Sequence, residues 1–357
     1  MQFVMNMIVD LSKMNIFGLH GVDVLIILSI IFSFGITMYT LPKIIRKMSL
    51  AGNVGIDVNK KNKPKIPEMG GISALYGFSL GLAIIMGVQS MFNWGDHRTP
   101  VLAAVGVFLI AAFVGLIDDV SFLSTRSKIL YIALASVPLI AVVPSEAILN
   151  ITFLGILDFR EPYILYIIFW IIIIPIGITG VANALNMSAG YNGLESGQVA
   201  VISFFLLIIS YLKNPYNCSS MIFAALFGAS LALYYYNRFP AKTFIGDAGT
   251  LGLGAAIGAG VIIGKIEFYG IICILPAFYE LFATAYYGAK GIKRRSVCQD
   301  PIILDDGRLK PPKGAEKYTL CYYLLSKKPM SEKMLVNTVL SLYVLCGAVA
   351  LALSMVG

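Results

Sequence analysis

Residues 163–212 read YILYIIFWIIIIPIGITGVANALNMSAGYNGLESGQVAVISFFLLIISYL: two membrane-length apolar runs with a polar, glycine-rich stretch, 183–198, wedged between them. Lipid offers no water to loose backbone N–H and C=O groups. Irregular polar backbone beside a span therefore survives only where it lines a protein cavity or an aqueous face. The stretch predicts a membrane protein that holds something polar at this point.

The rest of the chain agrees. Of 357 residues, 58% are hydrophobic and 13% charged, and the mean hydropathy is +0.82. A soluble protein of this length could not hide so much apolar surface, which excludes the soluble globular classes. A span takes ~20 mainly apolar residues. Ten runs qualify, near 21–41, 70–92, 100–117, 128–145, 163–181, 198–212, 220–237, 250–266, 268–289 and 334–356. The expected fold is an all-α polytopic membrane protein, a single integral membrane domain over residues 1–357. Residues 1–20 show neither a basic leader nor a small-residue cleavage site and predict an interfacial segment. The five cysteines form no close pair, and His20 and His97 are the only histidines. A disulfide framework, a zinc site and a histidine-based triad are all disfavoured.

Charge sets the topology. The odd-numbered loops and their flanks carry 22 Lys and Arg residues and the opposite side 5, so the positive-inside rule puts the odd loops in the cytoplasm. Every candidate reactive motif falls in an odd loop. A channel or carrier would spread its polar groups along a pathway near the midplane. Confinement to one face suits an enzyme that joins a cytosolic polar substrate to a membrane lipid. The competing class, a transporter or flippase, has Glu280 inside the ninth span as its main support.

Several motifs carry this chemistry. Asp118-Asp119 closes the third span in GLIDDV; such a pair can hold a hard cation, take a proton, or form a solvated helix end. Lys128 opens the next span as a phosphate point charge or an interfacial anchor. The 183–198 stretch supplies amides at Asn183, Asn186, Asn192 and Gln198, a carboxylate at Glu195, and turns at Gly190, Gly193 and Gly197. In NRFPAKTFIGDAGTL (237–251), Gly246-Asp247 opens the eighth span, whose first N–H groups favour anionic oxygen. Asp247 could hold a cation or serve as an N-cap; Phe244 could stack on a base or pack in the bilayer. Glu68 lies in IPEMGG (66–71) after a lysine-rich run that can meet anionic headgroups. The long loop 290–333 contains PIILDDGRLKP, a predicted β-hairpin turning at Asp306-Gly307. Its Arg294, Arg295 and Arg308 are candidate phosphate or sugar contacts.

Taken together and in order, these motifs resemble the polyprenyl-phosphate N-acetylhexosamine-1-phosphate transferase family, from about residue 40 to the last span. AGYNGLESGQ is similar to the eukaryotic and archaeal branch that loads dolichyl phosphate with GlcNAc-1-phosphate; FIGDAGTLGLG looks bacterial. The resemblance implies transfer of GlcNAc-1-phosphate from a UDP-sugar to a polyprenyl phosphate with release of UMP, the first membrane step of lipid-linked oligosaccharide synthesis. Alternatives within it are another UDP-HexNAc and undecaprenyl phosphate.

The roles it implies are Asn186 and Asp247 on Mg²⁺ (Mn²⁺ as the alternative ion), and Gly190, Asn192 and Phe244 around uracil. Lys128 would hold a phosphate and Glu68 would lie near the nucleotide-sugar. Asp118 and Asp119 would be essential in taking a proton from, or positioning, the lipid phosphate. Asn183 and Glu195 join the expected substrate-binding set. Family members carry His and Arg motifs in the last cytosolic loop; SVCQDP (296–301) stands there instead, with Arg294, Arg295 or Arg308 as substitutes. The expected setting is a prokaryotic plasma membrane with a cytosolic site. The expected partners are a UDP-sugar, a polyprenyl phosphate and membrane lipids; nucleic acid is not among them, and a homodimer is left open.

Overall fold

The structure is a computed structural model and describes residues 21–92, 94, 98–121, 123–142, 147–151, 155–292 and 297–356. Among the described residues, ten helices are long and apolar enough to cross a membrane. The first nine are α1 Gly21–Leu50, α2 Gly71–Phe92, α3 Arg98–Ser121, α4 Thr125–Val142, α5 Tyr163–Met187, α6 Leu194–Lys213, α7 Ser219–Asn237, α8 Asp247–Gly264 and α9 Glu267–Ala289. A short helix, α10 Leu320–Lys327, follows in the last loop. The tenth span is α11 Glu332–Val356. The expectation of an all-α polytopic membrane protein holds.

Three small antiparallel hairpins decorate the bundle. β1 Val54–Ile56 pairs with β2 Lys65–Pro67 between α1 and α2. β3 Ile148–Ile151 pairs with β4 Gly155–Asp158 between α4 and α5. β5 Ile302–Ile303 pairs with β6 Leu309–Lys310 in the last loop. The third is the hairpin the sequence predicts, with Gly307 in the left-handed region at the turn (φ +80°). The first two, with strands of three and four residues, were not anticipated; the third has strands of only two residues and was legible through its Asp-Gly turn.

The polar stretch needs a correction. Helix α5 continues through Met187 and α6 begins at Leu194, so irregular backbone is confined to 188–193. Asn183, Asn186, Glu195 and Gln198 are helical. Their side chains explain why polar residues sit there: Gln198 Nε2 donates to the Leu185 carbonyl (3.2 Å), while its oxygen accepts from Ser188 (2.9 Å) and Tyr343 (2.9 Å). The amide clasps the end of α5 to the start of α6 and to α11.

Helix α8 lies at the centre, with every residue from Ala248 to Ile263 buried. Its sequence, DAGTLGLGAAIGAGVIIG, makes this possible. Association of spans depends on van der Waals packing, and small residues let backbones approach. A Cβ at Gly252 would come within 2.9 Å of Ala112 on α3, and one at Gly254 within 2.7 Å of the Ala182 Cα on α5. The small-residue face of α8 thus draws α3 and α5 together, and with them the helix ends that carry Asp118, Asp119 and Asn186.

Candidate active site

At its N-terminal end α8 meets α3 backbone to side chain. A Cβ on Gly115 would fall 2.3 Å from the Asp247 carbonyl oxygen. One turn further along α3, Asp119 accepts from the Asp247 N–H through Oδ1 (2.8 Å) and from the Ala248 N–H through Oδ2 (3.1 Å). Gly246, in the left-handed region (φ +77°), completes the turn. Asp119 therefore caps a helix other than its own. This corrects two expectations: the first N–H groups of α8 already hold a carboxylate, and Asp247 is not the N-cap. Removing a cap of this kind costs about 1 kcal/mol, more where buried N–H groups lose their acceptor. Asp119→Ala should lower the melting temperature in detergent and reduce activity through displacement of Asp247. An unchanged melting temperature would remove the capping role.

The reactive groups form a chain of contacts beside this junction. Lys128 on α4 contacts Asp118 Oδ2 directly, and its ammonium lies 2.6 Å from Asp247 Oδ2. The Asn186 amide donates to Asp247 Oδ1 (2.8 Å) and to Thr250 Oγ1 (2.8 Å). The Leu123 N–H donates to Asp118 Oδ1 at 2.6 Å. Both Asp118 oxygens are thus engaged, which suits a positioning group better than a base. Lys128 has three N–H donors; the carboxylates take two, leaving one for an anionic oxygen. Two carboxylates around one ammonium leave a net negative charge in a partly buried place.

The donor set can be tested against a metal. Among the described residues no three His, Cys, Asp or Glu side chains converge on one point. What converges is the oxygens of two carboxylates, Asp118 and Asp247, with the Asn186 amide beside them presenting its nitrogen to Asp247. That does not make an all-protein cage, but it matches the way Mg²⁺ is held, by one or two carboxylates with waters and substrate phosphates. Oxygen ligands alone disfavour zinc.

Toward the loops, the 66–71 segment pairs with the lead into α8. Phe244 N–H donates to the Pro67 carbonyl (2.9 Å), Gly70 N–H to the Phe244 carbonyl (2.8 Å) and Gly71 N–H to the Ile245 carbonyl (2.9 Å). Glu68 and Phe244 consequently meet over Gly55, where a Cβ would lie 2.3 Å from the Glu68 carboxylate and 3.0 Å from the Phe244 ring. Burial, and then the negative charge of Asp247, raise the Glu68 pKa above its ordinary value.

A cavity of about 170 Å³ opens here, lined by residues 56–59 with Gly190, Tyr191, Asn192, Glu195 and Phe244. A second, of about 270 Å³, shares residues 58–59 and 190–191 and extends to Ser188, Glu280 and residues 298–301. Glu280, the suspect inside the ninth span, is buried. It accepts from the Leu320 N–H at 2.9 Å, tying α9 to α10.

The structure thus brings Asp118, Asp119, Lys128, Asn186 and Asp247 together, and gathers Gly190, Asn192, Glu195 and Phe244 around one cavity with Glu68 against the Phe244 ring. Other expected contacts lie elsewhere. Asn183 lines neither cavity and donates to the Thr179 carbonyl on its own helix (2.9 Å). Arg308 folds back on Asp306 in the hairpin turn (2.6 Å) and also lines neither. Arg294 and Arg295 lie outside the described residues, as do residues 1–20. Four polar residues that sequence reasoning did not single out, Asp57, Asn59, Lys60 and Glu332, are hydrogen-bonded into the cavity wall. The only signal for the first three was their place at the start of the lysine-rich run.

Comparisons with known proteins point one way. A model of glycosyl transferase family 4 matches residues 101–265. A protein of Saccharolobus solfataricus, provisionally named a UDP-N-acetylglucosamine–dolichyl-phosphate N-acetylglucosaminephosphotransferase, is 34% identical over 75% of this chain and 80% of its own. Its counterpart of the same provisional name in Sulfolobus acidocaldarius is 31% identical over the same shares. A phospho-N-acetylmuramoyl-pentapeptide-transferase of Wolbachia pipientis wMel is 28% identical over 72% of this chain and 81% of its own.

Proposed function

The chain belongs to glycosyl transferase family 4, and from that membership we propose that it transfers GlcNAc-1-phosphate from UDP-GlcNAc to a polyprenyl phosphate of the dolichyl type, releasing UMP. The observation that carries the reading is the convergence of Asp118, Lys128, Asn186 and Asp247 beside a cavity walled by Gly190, Asn192 and Phe244. Charged groups suited to a diphosphate stand next to amides and an aromatic ring suited to a base. The archaeal relatives' names favour GlcNAc and dolichyl phosphate, and their identities exceed that of the bacterial muramoyl-pentapeptide transferase.

In the proposed reaction an oxygen of the lipid phosphate attacks the β-phosphorus of the UDP-sugar. The bond between that phosphorus and the oxygen bridging to the α-phosphate breaks, and UMP leaves with the electron pair. A phosphate monoester has a second pKa of about 6, so the nucleophile is largely ionised at neutral pH and needs little help from a base. Alignment and charge neutralisation then supply most of the rate enhancement. Lys128 offers its remaining N–H to a phosphate oxygen. Asp118 holds Lys128, Asp119 holds the start of α8, and Asn186 fixes one oxygen of Asp247.

Mg²⁺, with Mn²⁺ as substitute, would be held by Asp247 with the Asn186 oxygen and would neutralise charge on the diphosphate. Chelation with EDTA should abolish UMP release, and Mg²⁺ or Mn²⁺ should restore it where Zn²⁺ does not. Full activity after exhaustive chelation would remove the metal. The reaction is proposed to run on the cytosolic face of a prokaryotic plasma membrane, where the basic loops lie. A panel of UDP-sugars offered with dolichyl and undecaprenyl phosphates tests the substrates. UMP release fastest with UDP-GlcNAc and dolichyl phosphate is expected; release only with a muramoyl-pentapeptide donor would move the assignment to the bacterial branch.

A further inference from the structure

Glu332 is the first residue of α11, is 4% exposed, and lines neither cavity. Its two oxygens nevertheless reach three residues in two separate segments of the chain, 59–60 and 192. Oε1 accepts from the Asn192 backbone N–H at 2.8 Å and from the Asn59 amide at 3.2 Å. Oε2 accepts from the Lys60 ammonium at 2.9 Å. Each partner bears on the cavity wall. Asn59 donates in addition to the Gly190 carbonyl (2.7 Å), and the Asn192 amide donates to Asp57 Oδ2 (3.0 Å). Lys60 also contacts Asp57 directly. Asp57, Asn59, Gly190 and Asn192 line the smaller cavity. The carboxylate therefore stands behind the wall and holds its pieces in register.

The knot extends to the last loop. Two residues before Glu332, the Met330 carbonyl accepts from the Leu309 N–H (2.9 Å), which joins β6 to the start of α11. From the other side Lys61 donates to the Asp305 carbonyl in the hairpin turn (2.9 Å). Residues 59–60 and the 190–192 turn are thus held by one buried carboxylate, and the β5–β6 hairpin is joined to the same segments through Met330 and Lys61. Bonds inside a low-dielectric interior are stronger than in water, and the groups left behind when one is removed are costly.

We propose that Glu332 is a positioning residue for the nucleotide-sugar, setting the spacing between the 56–59 strand-turn and the 190–192 turn that together grip the uridine end. This rests on the transferase reading above. Its chemistry makes it selective: the carboxylate touches the wall of the nucleotide cavity and none of Asp118, Lys128 or Asp247. Its loss should weaken nucleotide binding and spare the transfer step.

The test combines kinetics with direct binding of UMP to the purified full chain in detergent. For Glu332→Ala the KM for UDP-GlcNAc and the Kd for UMP should each rise by about tenfold, the factor one lost buried hydrogen bond commands. The kcat should stay within about threefold, and the KM for dolichyl phosphate should not move. Glu332→Gln keeps an oxygen for the Asn192 N–H but turns an NH₂ toward the Lys60 ammonium in place of the second oxygen, so its shift should be smaller than that of the alanine variant and in the same direction. This variant decides the matter if the alanine variant does not fold. A merely structural role would lower kcat through loss of active molecules and leave both KM values alone. That result, an unchanged UMP Kd, or equal rises in both KM values overturns the proposal. If wild-type protein binds UMP but transfers nothing to a polyprenyl phosphate, the reaction is rejected while UMP binding by the two variants still judges Glu332. Wild-type protein that binds no UMP rejects both.

Discussion

Asp247→Asn should lower the rate of UMP release by about three orders of magnitude while the protein still folds and still extracts with its lipids. The substitution is nearly isosteric. Asn186 and Lys128 both approach Asp247 as donors, at 2.8 and 2.6 Å, and an amide can answer only one of them with its single oxygen. The other oxygen becomes an NH₂ that confronts a donor, and the negative charge that would hold a divalent ion is gone. Folding should survive because the α8 start is fixed through backbone groups: the Asp247 and Ala248 N–H groups stay with Asp119, and the approach of Gly115 involves the Asp247 carbonyl. Wild-type turnover in Asp247→Asn would remove this residue from the chemistry.

Lys128→Met should lower kcat by about 10²- to 10³-fold. The ammonium does two things at once. It neutralises Asp118 and Asp247, both of which contact it, and in the proposed reaction it offers its remaining N–H to the substrate phosphate. Methionine fills comparable space and supplies neither. The two carboxylates would then face each other without a cation, and like charges in a partly buried site disfavour double ionisation. Lys128→Arg should recover little, since a planar fork does not occupy the position of a compact ammonium gripped between two carboxylates. The measurement is steady-state kinetics with both substrates saturating. A Lys128→Met enzyme with near-normal kcat would return Lys128 to the role of an interfacial anchor.

How much of this was legible in sequence differs by residue. The ten spans were, because an apolar run of membrane length is stable in few places besides a bilayer. Asp118, Lys128, Asn186 and Asp247 stood out because polar groups at span ends are conspicuous against an apolar background. Their convergence is carried by something less visible, the glycines and alanines of α8 that let α3 and α5 close in. Asp119 was legible as important but not as a cap on α8, since sequence does not say that a carboxylate on one helix meets the N–H groups of another. Asn183 and Arg308 misled for the opposite reason. Each is the right type of residue for a substrate contact, but each has a closer partner in Thr179 and Asp306. Glu332 was hidden entirely. A glutamate in the first turn of a helix is ordinary, and its partners lie 140 and 273 residues away in the chain.

In the proposed reaction this site moves a sugar-1-phosphate, breaking the diphosphate of the donor and leaving the bond between sugar and phosphate intact. UDP-GlcNAc carrying a radioactive β-phosphate, incubated with the protein, dolichyl phosphate and Mg²⁺, tests it most directly. The account predicts that the label moves into the lipid fraction and that the nucleotide released is unlabelled UMP. Label retained in water-soluble UDP while the sugar alone enters the lipid would contradict it.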